Sequence, residues 1–390
     1  MRKIESENIP IILWLDFIDP GALEQAKNLA NLPFAFSHIA IMPDAHQGYG
    51  MPIGGVLATK GVIIPNAVGV DIGCGICALR TSLRNMDKTK LGPVINEIGK
   101  IVPVGFSHHK KKQDEKLMPH PERFSIGKGM VVNIEYENAR KQLGTLGGGN
   151  HFIEIQKGSD GFIWIMIHSG SRNLGYKVAA HYNKLAKELN KKRRSTVQKK
   201  WDLAYFIPGS EEESRYFFEM NYCVDFAFAN RKLMMERVKD VFTEESGGKV
   251  EFDQFINIAH NYAAREIHFG NDVIVHRKGA TSAGKGERGI IPGSQGTRSF
   301  IVRGKGEKNS FMSCSHGAGR KLGRKQAIRQ LDLRYEVEKL EKMGILHSLR
   351  SQKDLDEASS AYKDIDEVME NQKDLVDIEI ELSPLGVIKG

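Results

Sequence analysis

Short glycine-rich segments that also carry histidine, cysteine or aspartate recur along this chain, and each stands where an apolar run stops. The main ones span residues 43–50, 68–77, 145–154, 168–172 and 313–320. Glycine tolerates positive φ and has no Cβ, so such turns let the backbone come close to a metal ion or an anion. A site that uses all of these segments must draw on most of the chain. The pattern therefore predicts one interwoven domain over residues 1–390.

The apolar periodicity between these segments predicts a mixture of strands and helices. Strands are expected over residues 11–15, 38–42, 55–65, 77–83, 162–167, 252–258, 273–275, 299–302 and 377–382, and a strand-like pattern begins at residue 152. Helices are expected over residues 20–32, 87–101, 135–143, 176–192, 214–242, 321–343 and 362–369. Because proline lacks an amide hydrogen, Gly92-Pro93 is expected to interrupt its helix. These elements are scaffold, and the chemistry is expected in the turns.

Charge and cysteine content limit the class of protein. The net charge of +8, the pI of about 9.1 and basic clusters at residues 108–112, 191–194 and 199–200 favour a polyanionic partner. No apolar run approaches the roughly 18 residues of a transmembrane helix, and the start lacks the apolar region of a signal peptide. Four scattered cysteines are too few for a disulfide framework, so a reducing, cytoplasmic setting is expected.

Several potential metal ligands stand in the turns. They are Asp71, Cys74, His151, His168 and His260. One such histidine is usually structural, but four of them, counting His316, with an Asp-x-x-Cys predict a metal centre. The set suffices for two ions if one ligand bridges, and a thiolate at Cys74 is the natural bridge. Imidazole and thiolate favour zinc or iron, whereas carboxylate favours manganese or magnesium, so ligand types leave the metal open.

Two neighbouring features have simpler alternatives. Cys74-x-x-Cys77 resembles half of a zinc knuckle, but the chain has no second such pair, which argues against a four-cysteine structural zinc site. Cys77 is then a buried thiol in a strand. Residues 313–320 place His316 before two glycines and Arg320, a pattern that can bind phosphate and present a nucleophilic imidazole. Taken alone, the same residues also fit a tight turn with a hydrogen-bonded histidine. Neither a Walker A motif nor a Rossmann fingerprint is present.

Together these segments resemble the RtcB family of RNA ligases. In the family's order, the matching segments are MPDAHQGYG, GVDIGCG, LGGGNHF, HSGSR, AHN, HRKGAT, IPGSQGT, SHGAGR, AYKDID and the terminal VIKG. Each is weak alone, but the ordered set covers the chain nearly end to end. The resemblance implies the family's compact α+β fold, with mixed and antiparallel sheets flanked by helices.

The resemblance also implies a reaction. It is the joining of an RNA 3′-phosphate or 2′,3′-cyclic phosphate to an RNA 5′-hydroxyl, with GTP and two Mn²⁺ ions as cofactors. His316 matches the histidine that becomes guanylylated. The expected partners are broken RNA ends in tRNA splicing or in repair of cleaved tRNA or ribosomal RNA, with an archease-like activator as a further partner and no membrane.

Residue by residue, the resemblance assigns a site. Cys74, His151 and His168 match the ligands of one metal, and Asp71, Cys74 and His260 those of the other. Guanylate-binding positions are matched by Asn150, His151, Phe152, Ile153, Glu154, His260, Asn261, Pro292, Gly293, Ser294, Gln295, Ser299, His316, Gly317, Ala318, Gly319 and Lys389. Other expected site residues are Asp44, a candidate base for the 5′-hydroxyl, and Arg172, Lys278, Arg320, Arg324 and Tyr362.

The chain departs from the family pattern at a few places. Cys77 stands where no cysteine is expected and is a predicted oxidation liability beside Cys74, and Gly323 replaces an expected serine. Residues 107–121 match no motif, so they are candidates for setting RNA choice. One alternative function is a dinuclear metal phosphoesterase that only hydrolyses RNA ends and needs no GTP. Another is a non-catalytic RNA-binding protein, which the complete set of ligand residues disfavours.

Overall fold

The computed structural model describes residues 1–119, 129–246 and 248–390. Its strands are β1 (Arg2–Ile4), β2 (Ile11–Leu13), β3 (Ala35–His46), β4 (Ile53–Thr59), β5 (Gly75–Thr81), β6 (Phe152–Gly158), β7 (Ile163–Ser169), β8 (Phe252–Ala259), β9 (Asn261–His268), β10 (Asn271–Lys278), β11 (Ala280–Ser282), β12 (Arg288–Ile291), β13 (Ser299–Gly304), β14 (Ser313–Ser315) and β15 (Val376–Lys389). Its α-helices are α1 (Pro20–Ala30), α2 (Pro65–Val68), α3 (Lys88–Ile101), α4 (Val131–Gln142), α5 (Arg172–Lys192), α6 (Glu211–Glu245), α7 (Arg324–Gln330), α8 (Leu333–Lys342) and α9 (Ile365–Glu370).

Most of the described strands belong to two sheets. The first has the order β1-β2-β3-β4-β10-β9, and its pairs are antiparallel except β2 with β3. The second has the order β12-β13-β15-β6-β7-β5-β8 and is antiparallel throughout. Strands from distant parts of the chain lie side by side, such as β4 beside β10. Together with the helices, this architecture confirms the predicted α+β fold.

The turn before β5 is where distant segments meet. The first residue of β5, Gly75, pairs with Ser169 at the end of β7 on one side and with Ala259 at the end of β8 on the other. Residues that precede β5 therefore lie between the carboxyl ends of β7 and β8. This sheet order brings candidate ligands from three parts of the chain to one edge.

The long helix α6 forms much of the packing behind that edge. Its apolar side chains contribute to two buried clusters, with Tyr216 and Phe226 in one and Met234 and Phe242 in the other. Two polar residues in the middle of the helix, Asn230 and Arg231, are nevertheless 0% exposed. Buried polar side chains require partners, and these two reach the site.

Several local predictions need correction. The interruption at Gly92-Pro93 is wrong, because α3 is continuous and Pro93, early in the helix, forfeits only one intrahelical hydrogen bond. The helix predicted over residues 321–343 is two helices, α7 and α8, and Asp332 caps the second by accepting from the Tyr335 amide. Strand β9 is absent from the sequence prediction, since its residues alternate only weakly between buried and exposed positions.

The segment predicted as a site loop over residues 43–50 also differs. Strand β3 continues to His46, with an irregular register between Ile41 and His46. Asp44 is therefore held by a sheet rather than by a flexible loop. In the part of the chain that the structure describes, no helix is long and apolar enough to cross a membrane.

Candidate active site

The predicted ligand segments around β5 bring their side chains into one cluster. The Sγ of Cys74 lies 3.3 Å from Nε2 of His168 and 3.5 Å from Nε2 of His151. The Oδ2 of Asp71 lies 3.2 Å from the same His151 nitrogen. The ring of His260 lies 5.3 Å from that of His168, measured between centroids. Donors from four separate segments thus face one small volume.

The donor atoms that are close enough to share one ion form two groups among the described residues. One is Asp71, Cys74 and His151, and the other is Cys74, His168 and His260. Cys74 belongs to both, as a bridging thiolate requires. The division differs from the one that the resemblance implied, which paired His168 with His151 and His260 with Asp71. Cys74 precedes β5 and faces the strand ends that carry His168 and His260, and its Sγ also lies 3.5 Å from His151.

The chemistry of this donor set fits divalent transition metals. The Nδ1 of His168 lies 3.0 Å from the Asn150 carbonyl, which accepts its hydrogen and leaves the Nε2 lone pair towards Cys74. Burial holds the pKa values of His168 and His260 well below the usual range, so both rings are neutral. Burial also raises the pKa of the Cys74 thiol, an effect that a bound cation reverses. The buried Nδ1 atoms of His151 and His260 have no hydrogen-bond partner among the described residues.

Two buried residues of α6 hold the ligand-bearing turns together from behind. The Arg231 guanidinium donates to the carbonyls of Gly73, at 3.0 Å, and Ser169, at 2.8 Å. The Asn230 side chain accepts from the amide of Thr145 and donates to the carbonyl of Gly170. Burial lowers the pKa of Arg231 to about 10, which leaves it charged at neutral pH. A fixed cation thus lies behind Asp71 and the thiol of Cys74 and favours their anionic forms.

His316 lies beside the metal-ligand cluster, with its ring 4.8 Å from that of His260. Its Nδ1 lies 2.6 Å from Oδ2 of Asp44, and its backbone N–H donates to the same oxygen at 3.0 Å. The oxygen that accepts the backbone N–H also faces Nδ1, so Nδ1 carries a hydrogen, and in the neutral ring the lone pair is then on Nε2. This is the tautomer that a nucleophilic imidazole needs.

Asp44 therefore holds a histidine rather than standing ready for an incoming hydroxyl. The residue is 0% exposed, and it is absent from the lining of the cleft. The expectation that it acts as the base for the 5′-hydroxyl is not supported by this position. Its contacts resemble those of the acid in a nucleophile–base–acid arrangement, where the carboxylate fixes the imidazole tautomer.

Close backbone packing fixes the distance between the two segments of this pair. Gly319 has φ +71°, and a Cβ at this position would come within 2.1 Å of the Asp44 carbonyl oxygen. Only glycine combines this conformation with this approach. The glycine-rich run after His316 thus sets the position of Asp44 against the histidine.

Gly319→Ala is expected to lower the unfolding free energy by about 2 kcal/mol or more, from left-handed strain and the clash with β3. Gly99→Ala is the matched control, because no atom would lie within 4 Å of its new Cβ and the site is helical. That variant should gain roughly 0.5–1 kcal/mol. Urea denaturation of both variants measures the contrast, and equal stability of the two would contradict the packing described.

A cleft of about 210 Å³ opens in front of His316. Most of the residues predicted to bind guanylate line it, together with three predicted site residues and one metal-ligand candidate. These are Asn150, Phe152, Glu154, Pro292, Gly293, Ser294, Gln295, Gly317, Ala318, Gly319, Lys389, Arg320, Arg324, Tyr362 and His168. Seven of the ten segments that resemble the family motifs therefore contribute to one cavity.

The electrostatics of one wall suit an anionic ligand. Glu357 accepts from Arg320 at 3.1 Å, and Arg324 and Lys389 lie 3.3 Å and 4.0 Å from its oxygens. The Tyr362 hydroxyl donates to the same carboxylate. Three cations face this carboxylate and that of the neighbouring Asp356, which leaves a net positive charge that favours phosphate.

Glu154 lies in this cleft with little solvent. Burial raises the pKa of its carboxyl to about 8, against the opposing hydrogen bond that Gln156 donates at 2.5 Å and the nearby charge of Lys389. Its ordinary value is 4.5. The folded protein therefore retains a proton that the unfolded chain releases between these values, and stability falls as pH rises through that interval.

Glu154→Gln removes this penalty. The variant should become progressively more stable than wild type from pH 4.5 to pH 8, by about 1.4 kcal/mol per pH unit at most, with no further divergence above pH 8. Denaturation curves at pH 5, 7 and 8.5 measure the difference. A stability difference that does not change with pH would show that folding does not raise the pKa of Glu154.

Three predicted site residues act from just outside the cleft. Ser299 accepts from the Gly293 amide at 3.1 Å and so shapes the 292–295 turn. Asn261 donates to the Asp71 carbonyl at 3.0 Å. Arg172 donates to Thr145 and to the Gly105 carbonyl, at 2.9 and 2.8 Å. Each therefore positions a backbone segment of the site.

Other predicted residues lie elsewhere. The Lys278 ammonium donates to the carbonyls of Tyr49 and Asn66, so it holds two backbone segments together outside the cleft. Burial lowers the pKa of Lys278 to about 7. The Ile153 side chain packs in a hydrophobic core instead of the cleft. Cys77 packs in the same core, and burial raises the pKa of its thiol to about 12, so the predicted oxidation liability is not supported.

Two polar residues of the cleft have no role in the sequence prediction. His46 lines it two positions after Asp44, and its Nδ1 lies 3.0 Å from the Asp44 carbonyl. Strand periodicity across residues 43–46 is the signal that could place both side chains on one face. Glu357 comes from a mixed-charge segment that carries no motif, and only the folded structure gathers the cations around it.

Comparison with known proteins finds relatives along almost the whole chain. The family described as tRNA-splicing ligase RtcB matches residues 25–390. The RNA-splicing ligase RtcB of Escherichia coli K12 is 39% identical in an alignment of 407 positions that covers 99% of each chain. The tRNA-splicing ligases RtcB of Methanococcus maripaludis and Thermococcus kodakarensis are 33% and 32% identical, over 97% and 94% of this chain and 93% and 91% of theirs.

Proposed function

This chain belongs to the RtcB family of RNA ligases, and we propose that it is a GTP- and Mn²⁺-dependent ligase that joins RNA 3′-phosphate or 2′,3′-cyclic phosphate ends to 5′-hydroxyl ends. The observation that carries the proposal is the arrangement of His316. Its Nε2 lone pair is free, its Nδ1 is fixed by the buried Asp44, and it lies between a phosphate-compatible cleft and the cluster of metal-ligand candidates.

In the proposed first step, Nε2 of His316 attacks the α-phosphorus of GTP. A P–N bond forms, the bond to the β-phosphate oxygen breaks, and pyrophosphate leaves. Asp44 stabilises the imidazolium character that develops on the ring, because its carboxylate accepts the Nδ1 hydrogen at 2.6 Å. The cations around Glu357 are positioned to hold phosphate oxygens in line for this attack.

In the second step, an oxygen of the RNA 3′-phosphate displaces His316 from the guanylyl group and leaves an activated RNA end. A 2′,3′-cyclic phosphate must first react with water, which breaks the P–O2′ bond and gives the same 3′-phosphate. The 5′-hydroxyl then attacks the RNA phosphorus, and GMP and a proton are released. Two Mn²⁺ ions held by Asp71, Cys74, His151, His168 and His260 would supply charge neutralisation at the phosphates. The protein supplies mainly positioning, as in other phosphoryl transfers.

The cleft also separates this proposal from a metal-dependent phosphoesterase. Hydrolysis of an RNA end requires the metal cluster alone. The held tautomer of His316, the glycine-rich turn after it and Lys389 in the same cleft favour a covalent nucleotide step instead. We further propose tRNA splicing or repair of cleaved RNA as the setting, with an archease-like protein as activator.

The test uses two short RNAs, one ending in a 3′-phosphate and one beginning with a 5′-hydroxyl. With GTP and Mn²⁺, a joined product is expected, and omission of GTP should abolish it. Repeated turnovers of joining without GTP would overturn the proposed role of GTP, and loss of the terminal phosphate with no joined product would overturn ligation in favour of hydrolysis. An RNA with a 3′-hydroxyl is the control and should not be joined.

A further inference from the structure

A fully exposed phenylalanine stands in the basic segment that matched no family motif. Phe106 has a relative exposure of 102%, the highest of the exposed large apolar side chains that the structure describes. It is flanked by Gly105 and Ser107, and Lys110 and Lys111 follow in exposed positions. A single aromatic ring among cations, without a contiguous apolar patch beside it in the sequence, is poorly suited to protein docking. It suits a stacked nucleobase with adjacent phosphates.

The backbone around Phe106 is fixed to the turn that leads to the metal-ligand cluster. The Gly105 amide donates to the Gly147 carbonyl at 2.8 Å, and the Leu146 amide donates to the Pro103 carbonyl at 2.9 Å. Gly105 also approaches Gly148, where a Cβ would lie 3.6 Å from the Gly105 Cα. The backbone immediately before Phe106 is therefore held against the turn at Gly147 and Gly148.

Arg172 connects this loop with the cluster. Its Nη2 donates to the Gly105 carbonyl at 2.8 Å. At Gly147, a Cβ would lie 2.3 Å from Nη1 of Arg172 and 2.4 Å from Nδ1 of His151, so the guanidinium lies directly beside a metal-ligand candidate. Gly105, which Arg172 contacts, immediately precedes Phe106 in the chain. A nucleotide whose phosphate bound at Arg172 would therefore have its base within reach of the Phe106 ring.

We propose that Phe106 is a stacking platform for the terminal nucleobase of the RNA strand that carries the 3′-phosphate, with Lys110 and Lys111 contacting phosphates of the same strand. This inference rests on the proposed ligase function. The 3′-phosphate strand is assigned to this platform because, in the proposed reaction, it reacts with guanylylated His316 before the other strand does. His316 lies beside the metal-ligand cluster, and Arg172 lies beside the same cluster. Because every base has a π-face, such a platform binds ends of any sequence.

The experiment measures binding of short fluorescent RNAs to the Mn²⁺-loaded full-length protein by anisotropy. Phe106→Ala should weaken binding of a 3′-phosphate RNA about tenfold, as expected for loss of one stacked base. Phe106→Tyr should restore it. Phe255→Ala, which removes another exposed phenylalanine, is the matched control and should leave affinity unchanged.

An RNA whose 3′-terminal nucleotide lacks its base provides the decisive comparison. It should bind wild type and Phe106→Ala equally, because the partner of the ring is gone. Equal affinity of the two proteins for the intact 3′-phosphate RNA, failure of tyrosine to restore binding, or a loss confined to a 5′-hydroxyl RNA would overturn the assignment.

The lysines are tested by salt dependence. Lys110→Gln with Lys111→Gln should weaken binding at low salt and reduce the slope of log affinity against log salt concentration, by about 0.7 per lost phosphate contact on a single strand. An unchanged slope would remove the two lysines from the proposal.

The platform and the ligase proposal can fail separately. Labelling of His316 by GTP needs no RNA, so wild type that binds RNA but takes no label from GTP would disprove the ligase proposal and leave the platform standing.

Discussion

Cys74→Ala is expected to abolish RNA joining and to remove bound metal from both ligand groups. The Sγ of Cys74 is the one donor common to both, 3.5 Å from His151 and 3.3 Å from His168. Without it, each group retains only two of its three donors, and the one side chain that could serve both ions is lost. Metal content after dialysis, measured by mass spectrometry, should fall from two Mn²⁺ per chain in wild type to near zero.

Cys77→Ala is the matched control, because Cys77 lies three residues away and packs in the hydrophobic core. It should keep two ions and its activity, at some cost in stability. His151→Ala and His260→Ala separate the two groups. Each should keep one ion, and combining the two substitutions should remove both. If His151→Ala and His168→Ala affected the same ion and His260→Ala the other, the division into these two groups would be wrong.

Asp44→Ala is expected to slow transfer of GMP to His316 by about a thousandfold or more, on the precedent of carboxylates that fix a catalytic imidazole. The Asp44 carboxylate accepts both the Nδ1 hydrogen and the backbone N–H of His316. Its removal frees the ring to rotate and to adopt the other tautomer. Single-turnover labelling with α-labelled GTP measures the rate directly.

Asp44→Asn separates the role of charge from that of packing. Its amide fills the same space, but it lacks the negative charge that stabilises the developing imidazolium, and its NH2 group can face Nδ1 and favour the other tautomer. The rate should therefore fall by about a thousandfold or more in this variant too, although the packing is kept. Both variants should retain two metal ions, since Asp44 belongs to neither ligand group. Loss of metal would show that the substitution acts by disrupting the site as a whole.

The membership of the site is easier to predict from sequence than its internal geometry. Histidine, cysteine and aspartate in glycine-rich turns are chemically conspicuous, so the sequence alone indicates Asp71, Cys74, His151, His168 and His260 as candidates. Their division into two groups depends on which strand ends lie beside β5. That is a property of long-range pairing between β5, β7 and β8, and no local pattern carries it.

The environment of His316 shows a second limit. A glycine-rich turn with a histidine fits both a nucleophile and an ordinary turn. The buried Asp44 that decides between them lies 272 positions away in the chain. Its segment has the local pattern of a loop because Pro43 and the glycines after His46 resemble turn residues, whereas the sheet extends β3 through it. Tertiary pairing overrides the local signal there, as helix packing does at Pro93 in α3.

The covalent bond between His316 and GMP is the central claim, and one measurement tests it most directly. Wild type and His316→Ala are incubated with α-labelled GTP and Mn²⁺, denatured and separated on a gel. Label is expected on wild type and none on the variant. Because the bond is a phosphoramidate, the label should survive base and be released by acid. Absence of label on wild type that carries its full complement of metal would contradict the claim and favour a phosphoesterase.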